Sequence, residues 1–360
     1  MLAIGVASMP QNASAQCDVT PPTQQTALSR PIPLGISGGN INSSLKSGKV
    51  TGCFSGTLGS MVQDTDGNQY ILSNNHVLAD QNKAKPGQLI VQPGLVDVQC
   101  LKAPSNAVAT FSRAVKLKFR TGTNTVDAAI AAVEPGEVSP EILFIGETAS
   151  SVATPTIGLA VQKMGRTSCL TSGVIAALDA NVKVNYSEKK KPKFAKFLNQ
   201  IIVTGSPATP VFGAAGDSGS LILSQDICPQ PVALLFAGFA DGTTIANPIS
   251  EVLSDLGVSM VGSCTPAAAP DAAQADSLAA NVGMSKEVVA SASAVRDRHE
   301  DQLMSIPGAV GTGIGIGDQP GQPAIEVYID KLTPNAQAGA PKEVERIPVK
   351  LIQSGEAVAY

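Results

Sequence analysis

Gly216-Asp217-Ser218-Gly219-Ser220 is the stretch on which the reading of this chain turns. Glycines on both sides of a serine let the backbone bend sharply and bring its N–H groups close to a reacting group. Ser218 is therefore a candidate nucleophile, and the N–H groups of Gly216 and Ser218 are candidates for holding a developing oxyanion. A serine hydroxyl needs an adjacent base to attack at neutral pH, most often a histidine. The chain has only two histidines, His76 and His299. His76 closes Tyr70-Ile-Leu-Ser-Asn-Asn-His76, where an apolar run gives way to small polar residues, so it is expected at a strand end facing a cleft. His299 lies in Arg296-Asp-Arg-His-Glu-Asp301, which reads as a solvated helix face.

A base of this kind is oriented by a buried carboxylate that fixes the imidazole tautomer and stabilises the imidazolium. Asp127 is the leading candidate, because Val126-Asp-Ala-Ala-Ile-Ala-Ala-Val133 surrounds one acid with small apolar residues and a buried acid demands a hydrogen-bonded partner. Asp97, in Leu95-Val-Asp-Val-Gln99, is second, with a shorter apolar context. Asp64 and Asp66 sit in a turn-like Asp-Thr-Asp-Gly, and Asp80 reads as part of a surface turn.

The order His76, Asp127, Ser218 matches the chymotrypsin-like order and not the subtilisin or α/β-hydrolase orders. Around each residue the wording resembles the trypsin/chymotrypsin-like serine protease family, particularly its bacterial branch. Gly-Asp-Ser-Gly-Ser is similar to the family's nucleophile motif, with Ser220 where glycine is more usual. Ser-Asn-Asn-His-Val stands in place of Thr-Ala-Ala-His-Cys, so the family's disulfide beside the histidine is absent. Val-Asp-Ala-Ala-Ile is similar to its Asp-Ile-Ala pattern, and Lys163-Met-Gly-Arg-Thr-Ser168 followed by Ser172-Gly-Val-Ile resembles the hairpin that opens the second barrel in bacterial members. The resemblance covers about residues 30 to 262. It implies two six-stranded antiparallel barrels with the site in the cleft between them, and hydrolysis of peptide bonds.

The residue pattern by itself gives an all-β domain. Short apolar runs recur between turn signals at Gly56-Thr-Leu-Gly-Ser-Met-Val62, Tyr70-Ile-Leu72, Gln88-Leu-Ile-Val91, Val182-Lys-Val-Asn-Tyr186, Gln200-Ile-Ile-Val-Thr204, Ser220-Leu-Ile-Leu223 and Val232-Ala-Leu-Leu-Phe-Ala237. Helical periodicity begins only near residue 248, where Ile249-Ser-Glu-Val-Leu-Ser-Asp-Leu256 reads as a closing helix. The expected fold class is thus mainly β: a chymotrypsin-like double antiparallel β-barrel followed by a small α+β domain. The expected organisation is a signal peptide over 1–15, a protease-like domain over 16–262, a Pro/Ala-rich linker over 263–280 and an α+β module over 281–360.

That module is read from a change of period. Val288, Ala292, Val295 and Leu303 recur at helical spacing after Ser285, a candidate cap. Strands are expected at Val310-Gly-Thr-Gly-Ile-Gly-Ile316, Ile325-Glu-Val-Tyr-Ile329 and Arg346-Ile-Pro-Val-Lys-Leu-Ile352. The glycine run precedes a proline turn and a strand, not a helix whose N-terminus could cradle phosphate, so a hairpin strand is expected. No function is legible in this module.

The chain has 360 residues, 43% hydrophobic and 15% charged, which suits a globular protein with a sizeable core. No apolar run is long enough to span a bilayer, and a net charge of −4 gives no hint of a nucleic-acid partner. Lys189-Lys-Lys-Pro-Lys193 reads as a solvated hairpin tip. No metal or cofactor is expected, since two distant histidines and unclustered cysteines assemble no ligand set. The expected partner is a protein or peptide substrate.

Leu2-Ala-Ile-Gly-Val-Ala7 resembles a short apolar leader core, and Ala13-Ser-Ala15 fits a signal-peptidase site, although the basic start of a leader is missing. Export, to the periplasm or beyond the cell, would let Cys17, Cys53, Cys100, Cys169, Cys228 and Cys264 pair. The expected pairs are Cys53–Cys100, Cys169–Cys228 and Cys17–Cys264; without a working leader the chain would be cytoplasmic with free thiols. Leu34-Gly-Ile-Ser-Gly-Gly39 faintly resembles the N-terminus that trypsin-type zymogens expose, with Asp217 as its ammonium partner. Nothing before Ile36 reads as a processing site, so no such insertion is expected.

In the family, the residue six before the nucleophile often lies at the base of the primary substrate pocket. Here it is Phe212, and the wall strand would carry Phe236, Ala237 and Gly238. With no carboxylate there, a buried cationic side chain would lack a partner, so a small or apolar residue before the scissile bond is expected. Asp241 would enter the pocket only on a shifted alignment. The opposing reading is a protease-fold binding protein without activity.

Overall fold

The computed structural model describes residues 17, 20, 22–47, 50–187, 192–266, 284–319 and 321–360. The expected leader over 1–15, the start of the basic cluster at Lys189 and most of the 263–280 linker lie outside the described residues.

The first barrel grows from the short apolar runs. Its strands are Ile36–Asn40, Gly56–Leu58 continuing into Ser60–Gln63, Gln69–Ser73, Leu89–Val91, Ala107–Ala114 and Ala129–Val133. Gly56–Leu58 pairs with Ile36–Asn40 at one end of the strand order, and Ser60–Gln63 pairs with Gln69–Ser73 near the other. The single run 56–63 therefore closes the sheet on itself, and closure leaves no open edge through that run. Ala129, Ile130 and Ala131 face Ser73, Leu72 and Ile71 across the ladder, all buried, which explains why this segment tolerates so few polar residues. The Asp64–Gln69 turn forms because the Asp64 carboxylate accepts the N–H groups of Asp66 and Asn68 (3.0 and 2.9 Å) while Gly67 takes a φ of 82°. These bonds, that from the Asn68 side chain above all, hold the exposed Asp64 carboxyl at about 2.

The second barrel is antiparallel throughout. Its strands are Ala160–Gly165, Cys169–Asn185, Phe194–Gly205, Leu221–Ser224, Pro231–Gly238 and Thr244–Pro248, and pairing of Phe194–Gly205 with Cys169–Asn185 completes the ring. The helix Ile249–Leu256 follows, ending at Gly257 with a φ of 63°, as a glycine after a helix does. The chain then returns through Ser259–Met260 to pair with Ser60–Gln63 of the first barrel.

Cys169–Asn185 spans 17 residues and runs past the barrel. Its bent middle pairs with Ala309–Ile316, which pairs with Pro323–Ile329, then with Ile347–Gln353, so one sheet continues from the second barrel into the C-terminal region. The glycine run is thus a central hairpin strand. Gly311 allows the close approach, since a Cβ there would lie 2.7 Å from the Asn181 carbonyl oxygen. The helix Lys286–Met304, capped by Ser285, packs on this extension. Its buried Arg296 donates to the Asp179 carbonyl (2.6 Å), and Ser293 donates to the Asp179 carboxylate (2.7 Å).

Three disulfides join Cys53 to Cys100, Cys17 to Cys169 and Cys228 to Cys264. The first is as expected. The other two correct the expected Cys169–Cys228 and Cys17–Cys264 pairs. The N-terminal segment crosses to the second barrel, where Gln24 and Gln25 donate to the Arg166 carbonyl and bring Cys17 to Cys169. Cys264 bridges to Ala149, whose N–H donates to the Pro229 carbonyl, next to Cys228.

Gly59, between the two halves of the 56–63 run, is where the barrels interlock. A Cβ there would lie 1.9 Å from the Gly219 carbonyl oxygen, and the neighbouring Thr57 N–H donates to the Ser218 carbonyl (2.7 Å). Gly59→Ala is expected to lower stability by about 1–3 kcal/mol, because backbone must move to admit the methyl group. Denaturant unfolding measures it, and a variant of unchanged stability would show that this interlock is loose.

Candidate functional site

His76 stands on the one-turn helix Asn75–Leu78 at the end of Gln69–Ser73, and Asp127 lies just before Ala129–Val133, the neighbouring strand of the same barrel. Ladder pairing therefore brings them together. His76 Nδ1 is 2.6 Å from Asp127 Oδ2, and the His76 N–H donates to Asp127 Oδ1 (3.2 Å). Asp127 is fully buried, and its backbone is held from both sides. Asn74 donates to its carbonyl (2.7 Å), and its N–H donates to Asn247 Oδ1 (2.9 Å), in turn held by Gln200 (2.6 Å).

Tyr186, from the end of the long strand, donates its hydroxyl to Asp127 Oδ2 (2.7 Å) and sets its ring edge-on to His76. Burial, and then the Asp127 charge, push the Tyr186 phenol well above its usual range, so it remains a neutral donor. No local pattern in the sequence marks this tyrosine.

Ser218 sits in the loop between the second barrel's strands, with Gly216 and Gly219 at φ of 102° and 94°. Among the described residues neither the Gly216 nor the Ser218 N–H meets an acceptor. Asp217 is buried beside them and accepts from the N–H groups of Thr167 (2.7 Å), Ser168 (3.1 Å) and Ala214 (2.9 Å) and from the Ser168 hydroxyl (2.5 Å). Its counter-ion is Lys163, fully buried at 3.5 Å. Burial pushes the Lys163 ammonium down, and Asp217 pulls it back. Ile36 lies buried within a strand and takes no part in this contact. One lysine in the uncharged remainder of the Ala160–Gly165 strand is the available signal.

Asp97 is spent elsewhere, on the Arg166 guanidinium (2.9 and 2.5 Å) and the Ser37 hydroxyl. His299, on the helix Lys286–Met304, pairs with Glu345 (3.0 Å) and Gln302 (3.3 Å).

The segment Ala357–Tyr360 enters the same cleft. Ala359 and Val358 pair antiparallel with Ala237 and Gly238, and the Tyr360 N–H donates to the Phe236 carbonyl (3.2 Å). The Tyr360 main-chain oxygen accepts from Ser218 Oγ (2.7 Å) and lies 3.0 Å from His76 Nε2. Ser218 Oγ and His76 Nε2 thus converge on one oxygen atom. Of the residues expected at the pocket, Gly238 lies against the Tyr360 ring, while Ala237 and Phe236 contribute backbone. The Phe236 ring packs on Phe197 (4.6 Å between centroids), and the fully buried Phe212 ring lies near Lys163 and Gly173.

Beside Tyr360 a cavity of about 320 Å³ opens, lined by Cys53, Phe54, Val77, Gln81, Arg166 and Ser187 among others. No group of His, Cys, Asp and Glu among the described residues is arranged to hold a metal, and no helix among them is long and apolar enough to cross a membrane.

Residues 123–247 match the family described as Nal1 C-terminal domain. Among solved structures, the chain is similar to Thermobifida fusca Protease A, at 16% identity, covering 62% of this chain and 98% of that one, with a TM-score of 0.41. It is similar to a glutamic acid specific serine protease at 20% identity, over 64% of this chain and 100% of that one, with a TM-score of 0.43. Nocardiopsis Protease is 17% identical over 62% of this chain and 97% of that one, with a TM-score of 0.40.

The Lys163–Asp217 pair has a direct test. Lys163→Met leaves a buried carboxylate without its counter-charge and is expected to cost about 3–5 kcal/mol, part of it recovered by adding Asp217→Asn. Unfolding of the two variants measures this; a single variant as stable as the parent would mean that the N–H donors alone hold Asp217.

Proposed function

We propose that the protein is a secreted serine endopeptidase of the chymotrypsin-like family. The observation that carries this reading is the convergence of Ser218 Oγ and His76 Nε2 on one main-chain oxygen, that of Tyr360, with Asp127 2.6 Å behind the imidazole. Three disulfides suit an oxidising compartment outside the cytoplasm.

In this mechanism the substrate lies as a strand along Pro231–Gly238. Ser218 Oγ attacks the scissile carbonyl carbon while its proton passes to His76 Nε2. Asp127 holds the imidazole with Nδ1–H toward itself and stabilises the imidazolium, and Tyr186 and the His76 N–H fix the carboxylate. The Gly216 and Ser218 N–H groups, without acceptors of their own, hold the oxyanion. His76 then protonates the leaving amine, which departs toward the cavity beside Arg166. Water, deprotonated by His76, hydrolyses the acyl-enzyme and restores the Ser218 hydroxyl.

The residue before the scissile bond is small or apolar on this reading, not Arg or Lys. Leu235, Phe212 and Ala246 form the apolar body behind the pocket. Asp217 is already neutralised by Lys163, and Asp241 spends an oxygen on the Thr243 N–H in an exposed loop. A cation there would be buried without a partner.

Ser218→Ala is expected to abolish peptide hydrolysis and covalent labelling by a fluorophosphonate while leaving unfolding unchanged. Hydrolysis at the parent rate would remove Ser218 from the mechanism, and an intact chain that neither labels nor hydrolyses would leave a protease-fold binding protein. Asp127→Asn is expected to cost roughly 10³–10⁴-fold in kcat, because the amide favours the wrong imidazole tautomer. Steady-state kinetics at neutral pH checks it, and a loss below about threefold would hand the orienting role to another group.

A further inference from the structure

The segment at residues 357–360 does more than lie near the site. A substrate held along Pro231–Gly238 needs antiparallel pairing, an N–H bond from the residue before the scissile bond, and that residue's carbonyl carbon at Ser218 with its oxygen on the Gly216 and Ser218 N–H groups. Ala357–Tyr360 makes the first two of these contacts, Val358 opposite Gly238 and the Tyr360 N–H on the Phe236 carbonyl, and sets the Tyr360 oxygen against both Ser218 and His76. Its other edge runs parallel to Val184 and Asn185, and Ala357 is fully buried. The segment is therefore a strand inserted between two walls of the cleft.

Its side chain reports the pocket. The Tyr360 ring lies over Gly238, where a Cβ would come within 1.7 Å of the phenol oxygen and 2.0 Å of the ring carbon that bears it. Gly213 forms the facing wall, with a Cβ position 3.4 Å from the ring and 3.0 Å from Leu235. Two glycines thus leave a slot the width of an aromatic ring. Thr244 stands beside the phenol, its hydroxyl buried and, the phenol apart, without a hydrogen-bond partner among the described residues. Such a hydroxyl prefers a polar ring tip to a purely apolar occupant.

We propose that the slot between Gly213 and Gly238 is the primary pocket for an aromatic side chain, tyrosine or phenylalanine, and that residues 357–360 occupy it, keeping other peptides out. This deepens the serine peptidase reading, replacing a small or apolar residue before the scissile bond with an aromatic one, and rests on it. An occupant tethered to its own site acts at high effective concentration, so it blocks well even when weak as a free peptide. Displacing it costs the strand pairing and the burial of one tyrosine ring.

The test compares the full chain with Tyr360→Ala and with Gly238→Val, using acetyl-Ala-Val-Ala-X 4-nitroanilides in which X is Tyr, Phe, Ala or Lys. Tyr360→Ala is expected to react with a fluorophosphonate roughly tenfold faster than the parent. It is also expected to cleave the Tyr and Phe substrates at least roughly tenfold better, in kcat/KM, than the Ala and Lys ones. In Gly238→Val the preference should move to Ala. Calorimetry on Tyr360→Ala with the uncleavable peptide acetyl-Ala-Val-Ala-Tyr reads the pocket without catalysis; that peptide should bind and acetyl-Ala-Val-Ala-Ala should not. Equal labelling of the parent and Tyr360→Ala overturns the occlusion, and a preference for Lys or Ala overturns the aromatic pocket. Failure of every variant to label or hydrolyse, with the tyrosine peptide still bound, sinks the peptidase reading and leaves the pocket standing.

Discussion

Burying the Asp217 carboxylate next to Ser218 costs free energy unless its charge is met, and much of the cleft is built to meet it. Lys163 supplies the opposite charge, and Thr167, Ser168 and Ala214 supply backbone donors. These groups come from both sides of the loop, so the 163–169 hairpin and the 212–220 loop are held as one body. Arg166, in the same hairpin, reaches Asp97, and Thr57 binds the Ser218 carbonyl. The carboxylate that anchors the serine loop thus also sets where the second barrel meets the first. That setting fixes Ser218 against His76, which belongs to the other barrel.

The C-terminal region is joined to this arrangement through the sheet. The strand Cys169–Asn185 serves the second barrel, the extension formed with Ala309–Ile316 and, at its far end, the cleft, where Tyr186 follows it. After Ile347–Gln353 the chain turns at Gly355, with a φ of 80°, and Asn185 donates to the Glu356 side chain (3.2 Å). Ser354 accepts the Asp241 N–H in the loop beside the pocket. The path that carries residues 357–360 to Ser218 is thus set by the same strand that delivers Tyr186 to Asp127.

The sequence by itself determined the parts whose chemistry is local. Strand runs show as short apolar stretches between turn residues, the Asp64 turn and the Ser285 cap follow from side-chain bonds to nearby backbone, and the helix at 249–256 follows from its apolar period and the glycine after it. His76, Asp127 and Ser218 were legible because each is rare in its surroundings: one of two histidines, one acid among alanines, one serine between glycines. Only the tertiary structure decided which distant groups meet. The Cys17–Cys169 and Cys228–Cys264 bridges depend on where the N-terminal segment crosses and where the chain returns after the closing helix. Lys163 facing Asp217, Tyr186 behind Asp127 and Tyr360 over Gly238 are neighbours brought together by barrel closure between segments 54, 59 and 122 residues apart. An alternating pattern tells a residue which face it occupies, but register and barrel closure choose the partner on that face.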